Sequence, residues 1–232
     1  MIKANIIYIK GYDPSEIQMQ KLKKSLDTFN ISYDLIEGIT PKTLSNHIIN
    51  YPLNPVINSR AHSYEKEKNP ILNNKKSCFI NHIMFWERVI TSNTPMMFLE
   101  HDSLMVRKWN NTTFDEVLIM NLNSAISHNK NLLKHIGKSY VYNNDTDNYK
   151  NHTLDYKLKY WNKNLFEGGS CAPGTAAYAI TPKGARRLLE SYKKNGWDQS
   201  DFFINTNNVN IQYSDPDFFE FSGKNLKSSH GF

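Results

Sequence analysis

Long apolar runs are missing from this chain. Nothing in its 232 residues approaches the roughly 20 consecutive apolar residues of a membrane helix, so no transmembrane segment is expected. The opening stretch, Met1-Ile2-Lys3-Ala4-Asn5-Ile6-Ile7-Tyr8-Ile9, lacks the apolar core and small-residue cleavage site of a secretory leader. The expected location is therefore the cytoplasm, that of a bacterial host cell if a virus encodes the chain. Cysteine is scarce as well. Cys78 and Cys171 are too few for a disulfide framework and, on that count, exclude a zinc site. Cys78 falls in an apolar helical pattern and reads as a buried structural thiol. Cys171 lies in a Gly-rich stretch, where a catalytic thiol is left open.

What is present describes a folded protein. Hydrophobic residues make up 39% and aromatic residues 12%, with 13 Tyr and 12 Phe, which argues against disorder. The length suits one substantial core or two small ones. Net charge is +6, and much of the excess comes as the pairs Lys23-Lys24, Lys75-Lys76, Arg186-Arg187 and Lys193-Lys194. Solvated helix faces explain such pairs; attraction to a polyanion is the other reading. Asn-x-Thr triplets at Asn110, Asn144 and Asn151 are what an Asn-rich chain yields by chance.

Hydrophobic periodicity places the elements. Ile6–Ile9 reads as a first strand. Gly11-Tyr12-Asp13-Pro14 follows, with Asp13 as helix N-cap, Pro14 at the first helical position and Glu16 completing a capping box. Met19, Leu22, Leu26 and Phe29 share one helical face, and Tyr33–Ile36 is a second strand ended by Gly38 and Pro41. Strand, helix and strand in this order predict a βαβ unit with parallel strands. Residues 43–74 read as a long loop with at most a short helix. From Cys78, a helix carries Phe79, Ile83, Trp86 and Ile90 in one stripe, flanked by His82, Phe85 and Val89. Strands are expected at 96–100, 117–120, 178–180 and 209–213. Thr181 as N-cap, Pro182 behind it and Gly196 as stop bracket a helix that buries Ala185, Leu188, Leu189 and Tyr192. Residues 127–165 give weak signals. No repeat or linker interrupts the chain, so a single domain over 1–232 is expected.

One segment carries chemistry. Met96-Met97-Phe98-Leu99 is a strand buried on both faces that ends in Glu100-His101-Asp102. Open α/β sheets bind ligands at the carboxyl ends of their strands. A Glu-x-Asp pair there suits a divalent cation held against a phosphate; a solvated acidic loop is the alternative. His101 points to the opposite side of the strand from its neighbours, so packing beneath the sheet end competes with ligation.

The order of these elements resembles glycosyltransferase family 25, which comprises lipooligosaccharide-biosynthesis enzymes and collagen galactosyltransferases. Cys78-Phe79-Ile80-Asn81-His82 leading into Phe98-Leu99-Glu100-His101-Asp102 is similar to the family's Gly-Cys-x-x-Ser-His helix and Leu-Glu-Asp-Asp strand end. Gly174 to Leu189 is similar to its strand-Thr/Ser-Pro-x-Gly-Ala-x-x-Leu-Leu element, and Asp198 to Asp201 lie where it places an aspartate. The chain departs at His101 for an acid, at Asn81 for Ser, and at Tyr12, Asp13 and Gln18 where arginines are usual.

The resemblance implies an α/β fold: a single GT-A-like, Rossmann-type domain with a mostly parallel central sheet flanked by helices. It implies an inverting sugar transfer from a nucleotide sugar, usually a UDP-sugar, with Mn²⁺ or Mg²⁺. On that basis Asp102 binds the cation, Glu100 binds it or the ribose, and His230 is a candidate third ligand. Asp201 is the first choice for general base and Asp198 the second, unless Asp198 simply caps the short helix that follows. His82 is a core histidine or faces the donor. Tyr8, Lys10, Gly174, Thr175 and Tyr178 are expected to line the donor or acceptor cleft. Gly168-Gly169 lacks phosphate-loop spacing. The acceptor is a surface glycan or a hydroxymethylated DNA base; protein hydroxylysine fits less well. A catalytically silent nucleotide-sugar or polyanion binding domain of the same fold is the alternative. A nucleic-acid binder without chemistry lacks a supporting motif.

Overall fold

Strands buried on both faces build the sheet. In the computed structural model, which describes residues 2–57, 59–122, 124–125, 150–153 and 175–222, β1 (Lys3–Tyr8) is buried from Ala4 to Ile7. Helix α1 (Asp13–Thr28) follows and returns the chain to β2 (Tyr33–Glu37), parallel to β1 as expected. The start of α1 differs from the expected capping. Tyr12, not Asp13, is the N-cap residue and makes no side-chain cap. Glu16 Oε1 instead accepts from Gly11 N–H at 2.8 Å, and Ser15 Oγ accepts from Ile9 N–H at 2.8 Å. First-turn side chains thus tie down the N–H groups of the loop that leads into the helix.

The expected loop at 43–74 contains two short helices, α2 (Ser45–Ile48) and α3 (Arg60–Lys66). The long helix α4 runs Leu72–Ser92, starting a turn and a half before the apolar stripe does, and ends at Asn93 in the left-handed conformation (φ 51°). Its buried face carries Phe79, Ile80, His82, Ile83, Phe85, Trp86 and Val89. Then come β3 (Met96–Glu100), β4 (Ser103–Met105), β5 (Val117–Ile119), β6 (Lys150–Thr153) and β7 (Ala177–Ile180). Helix α5 (Pro182–Asn195) has the expected cap, Thr181 Oγ1 accepting from Gly184 N–H at 3.2 Å, and the expected stop at Gly196 (φ 94°). The chain closes with α6 (Ser200–Phe203), β8 (Ile211–Asp215) and β9 (Phe219–Phe221).

Seven strands form one sheet in the order β2-β1-β3-β7-β5-β8-β6, and β4 pairs with β9 in a small second one. The pairings leave β2, β1, β3, β5 and β8 pointing the same way, with β7 and β6 reversed. The sheet is therefore mostly parallel and flanked by helices. Its two faces separate cleanly by strand alternation. Ile7, Phe98, Tyr178, Ile180 and Ile119 pack with α4 and α5, while Ala4, Ile6, Leu99, Ala177, Ala179 and Leu118 pack toward α1. Among the described residues no helix is long and apolar enough to cross a membrane.

Candidate active site

The carboxyl edge of the sheet gathers the predicted acids. β1 ends at Tyr8 beside Glu37 of β2, and β3 ends with Glu100 in register with Ile7. The turn after β3 is pinned from β7: Glu100 N–H and Ser103 Oγ both donate to the Ala176 carbonyl, at 2.7 and 3.1 Å. Ser222 N–H donates to the Asp102 carbonyl at 2.7 Å, tying the same turn to β9. Helix α4 runs alongside. Asn81, which stands where the related motif has Ser, holds it there by accepting from Ile39 N–H at 2.8 Å.

Glu100 is the electrostatic centre of this edge. Burial pushes its carboxyl up to about 8, and the neighbouring Asp102 and Asp201 push the same way. Lys75 acts in the opposite sense and is outweighed. Three carboxylates crowd a desolvated place without enough positive charge to offset them. Among the described residues, the group of three whose donor atoms all lie within 4.8 Å of one another is Cys78, His82 and Glu100, not these three acids. His101, half-buried, hydrogen-bonds the Ile7 backbone, and burial pulls its ring down from the ordinary histidine value.

Asp201 sits in the first turn of α6. Its Oδ1 accepts from both N–H and Oγ1–H of Thr175, each at 2.9 Å, while Oδ2 meets the Gln199 amide at 3.4 Å. Buried Thr175 thus orients Asp201 from the start of β7 and does not itself line an open cleft. Asp198 has a different task from the one expected. It is buried, and its Oδ1 accepts from Ala61 N–H at 2.9 Å and Gln199 N–H at 2.8 Å, so it caps α3 across the fold, whereas the N-cap of α6 is Gln199. Ser59 supplies the other α3 cap, accepting from His62 N–H at 3.1 Å.

Two expected cleft residues lie in the core. Tyr178 is fully buried because strand alternation turns it, with Ile180, toward α4. Its hydroxyl accepts from Trp86 Nε1–H and meets His82 Nδ1, both at 2.9 Å. His82 is fully buried too, stacked on Phe98 at 4.1 Å, and burial drives its ring down to about 3, so it stays neutral. Lys10, at the sheet edge, pairs with Glu37 at 3.5 Å and is mostly exposed; Tyr8 is half-buried against the α1 side. Gly174 and His230 lie outside the described residues.

Sequence reasoning missed three participants: Lys75, the Thr175–Asp201 link, and the approach of Cys78 to Glu100. Cys78 Sγ is 4.0 Å from Glu100 Oε1 and 3.7 Å from Ser200 Oγ, and burial pushes its thiol up to about 12. The four-residue spacing of Cys78 and His82 on a helix was the available signal.

The sequence model of glycosyltransferase family 25 (LPS biosynthesis protein) matches residues 7–204, a span containing every described residue of this edge apart from Ser222. No curated protein matches the chain. Among solved structures, A197 from STIV is 15% identical, with 92% of this chain and 81% of that one covered at a TM-score of 0.36. A glycosyltransferase involved in glycosylation of the major capsid of PBCV-1 is 11% identical, with 84% and 69% covered at a TM-score of 0.30.

Proposed function

The chain belongs to glycosyltransferase family 25 and is a glycosyltransferase, and from that premise we propose that it moves a sugar from a UDP-sugar to a glycan hydroxyl with the help of Mn²⁺ or Mg²⁺. One observation carries the reading: Glu100 ends β3 at the carboxyl edge of the sheet, where burial and the charges of Asp102 and Asp201 raise its carboxyl. Glu100 and Asp102 would hold the cation, with His230 as a further candidate. When bound, it supplies positive charge against the leaving diphosphate.

The chain's own residues do the rest. Thr175 fixes Asp201 through one carboxylate oxygen, leaving Oδ2 to accept the acceptor hydroxyl's proton as the new C1–O bond forms and the C1–O bond to diphosphate breaks. One displacement of this kind inverts the anomeric centre. Asn81 and Ser103 keep α4 and the β3 turn in place, so the carboxylates need not reorganise as charge develops.

A glycan acceptor is favoured over modified DNA by where the basic residues go. Of the basic pairs, Arg187 engages buried Glu116 and Lys76 engages Glu65 at 2.8 Å, so these two are not displayed for a polyanion. The decisive test is incubation with a panel of nucleotide sugars and Mn²⁺. Cation-dependent hydrolysis of a UDP-sugar is expected, and it should vanish in Asp102→Asn. Hydrolysis unchanged by a chelator would refute the cation's role. Transfer to DNA that weakens steeply with salt would replace the glycan acceptor.

A further inference from the structure

Cys78 and His82 stand one helical turn apart on α4, on the side that meets the end of β3. Together with Glu100 they offer a thiol sulfur, a ring nitrogen and a carboxylate oxygen, all within 4.8 Å of one another. We propose that this trio is a binding site for a thiophilic divalent cation, Zn²⁺ above all, distinct in its donors from the Glu100–Asp102 pair although it shares Glu100.

The histidine is the strongest argument. His82 is fully buried, and its Nε2 has no hydrogen-bond partner among the described residues. An unsatisfied buried nitrogen is costly, and a folded core rarely leaves one without a reason. The other ring nitrogen is already served. Tyr178's hydroxyl accepts from Trp86 and has a second lone pair for an N–H at His82 Nδ1, 2.9 Å away. Metal-ligating histidines use that same outer bond to fix the ring and free the other nitrogen's lone pair for the ion. Stacking on Phe98 at 4.1 Å holds the plane of the ring as well.

The remaining donors fit. Cys78 Sγ lies 4.0 Å from Glu100 Oε1. In a tetrahedral zinc site, bonds of about 2.3 Å to sulfur and about 2.0 Å to oxygen put those donors about 3.5 Å apart. Small side-chain rotations close the difference. On binding, the S–H bond breaks, its proton leaves to solvent and the thiolate takes the cation in its place. Thiolate and carboxylate together then balance the two positive charges. Sulfur in the donor set selects zinc or cobalt over Mg²⁺ and Mn²⁺, which prefer oxygen. Three protein ligands leave a fourth position open. The cysteine count, taken alone, excludes a zinc site; a mixed sulfur, nitrogen and oxygen set escapes that count because its third donor comes from a strand. If the transfer reaction uses Glu100 as proposed above, zinc here withdraws Glu100 from Asp102 and competes with Mn²⁺; that consequence rests on the functional reading, and the site itself does not.

The test is titration of the reduced, metal-free protein with Co²⁺, followed by displacement with Zn²⁺. A thiolate-to-cobalt charge-transfer band in the near ultraviolet and intense tetrahedral visible bands are expected at one equivalent, lost when Zn²⁺ is added. Cys78→Ser and Cys78→Ala should both abolish the charge-transfer band while circular dichroism stays native, and should weaken Zn²⁺ binding more than about 100-fold, the upper end of what an outer-shell loss costs. Cys171→Ser and Asp102→Asn should keep the band. No such band in the unsubstituted protein, or its persistence in either Cys78 variant, overturns the site. Loss of the band in Asp102→Asn overturns its separateness from the acidic pair. None of these readings requires turnover, so failure here is distinguishable from failure of the transferase reading.

Discussion

The two ends of the sheet carry acids in opposite circumstances. At the amino end of β5, Glu116 is completely buried, yet it accepts from Arg187 at 2.8 and 3.0 Å, from Asn210 N–H at 2.7 Å, and pairs with Lys183 at 3.1 Å. Burial pushes its carboxyl up, but these partners outweigh burial and hold it below the ordinary glutamate value. At the carboxyl end of β3, Glu100 has two acids for company, and its carboxyl rises to about 8. Every group that could quiet Glu116 is supplied by the fold, whereas Glu100 has like charge for company and keeps its proton up to about pH 8. That contrast is the one the proposed cation site at Glu100 calls for.

Substitution should separate the two ends. The largest effect falls on activity at the carboxyl end: Glu100→Gln or Asp102→Asn should lower transfer about 1000-fold, roughly 4 kcal/mol of barrier. Thermal unfolding of Glu100→Gln should match or exceed that of the parent, since a repelled charge is removed. At the other end the outcome reverses. Glu116→Gln should lose about 3 kcal/mol of stability by denaturant unfolding, because charged hydrogen bonds to Arg187 and Lys183 disappear, while the activity of the folded fraction persists.

The pH responses also run opposite ways. Glu116's folded carboxyl titrates below its unfolded value, so its contribution is present above the ordinary glutamate range and lost as pH falls through the folded value. Glu100's is raised, so in cation-free protein stability falls as pH climbs from about 4.5, where the unfolded carboxyl ionises, to about 8, where the folded one does. Unfolding free energies across pH should show both slopes; Glu116→Gln should erase the acid one and Glu100→Gln the neutral one.

Asp201→Asn keeps an acceptor for Thr175 but cannot take a proton. A fall of about 100-fold in kcat is expected, with the limb of the rate profile that reports base ionisation removed. Normal turnover in that variant would exclude Asp201 as base. The smallest effect belongs to Thr181→Ala, which uncaps α5 beside Glu116 and should cost about 1 kcal/mol by thermal unfolding, with kcat unchanged.

Much of the architecture was legible locally. The βαβ unit, the α4 stripe and the Thr181-to-Gly196 bracketing of α5 depend on spacing and capping within a turn or two of helix, and the structure shows each. The misreadings share another origin. Asp13 lost its capping role to Glu16 and Ser15, both within three residues. Helix α3 gave no apolar pattern because part of its support is Asp198, bonded to Ala61 across 137 positions. Tyr178 was expected to line a cleft by resemblance. Its neighbours Ala177 and Ala179 face the α1 side, and Tyr178 itself anchors Trp86 and His82 in the core.

By itself the sequence determined which segments become strands and helices and that two acids cap a buried strand, since periodicity and chain geometry act between near neighbours. Only the tertiary structure decided what each acid meets. Glu100 and Glu116 are the same side chain at strand ends, and, Asp102 apart, their charges are set by residues from about 25 to about 100 positions away. Coulomb interactions and burial depend on distance through space, which no spacing along the chain reports.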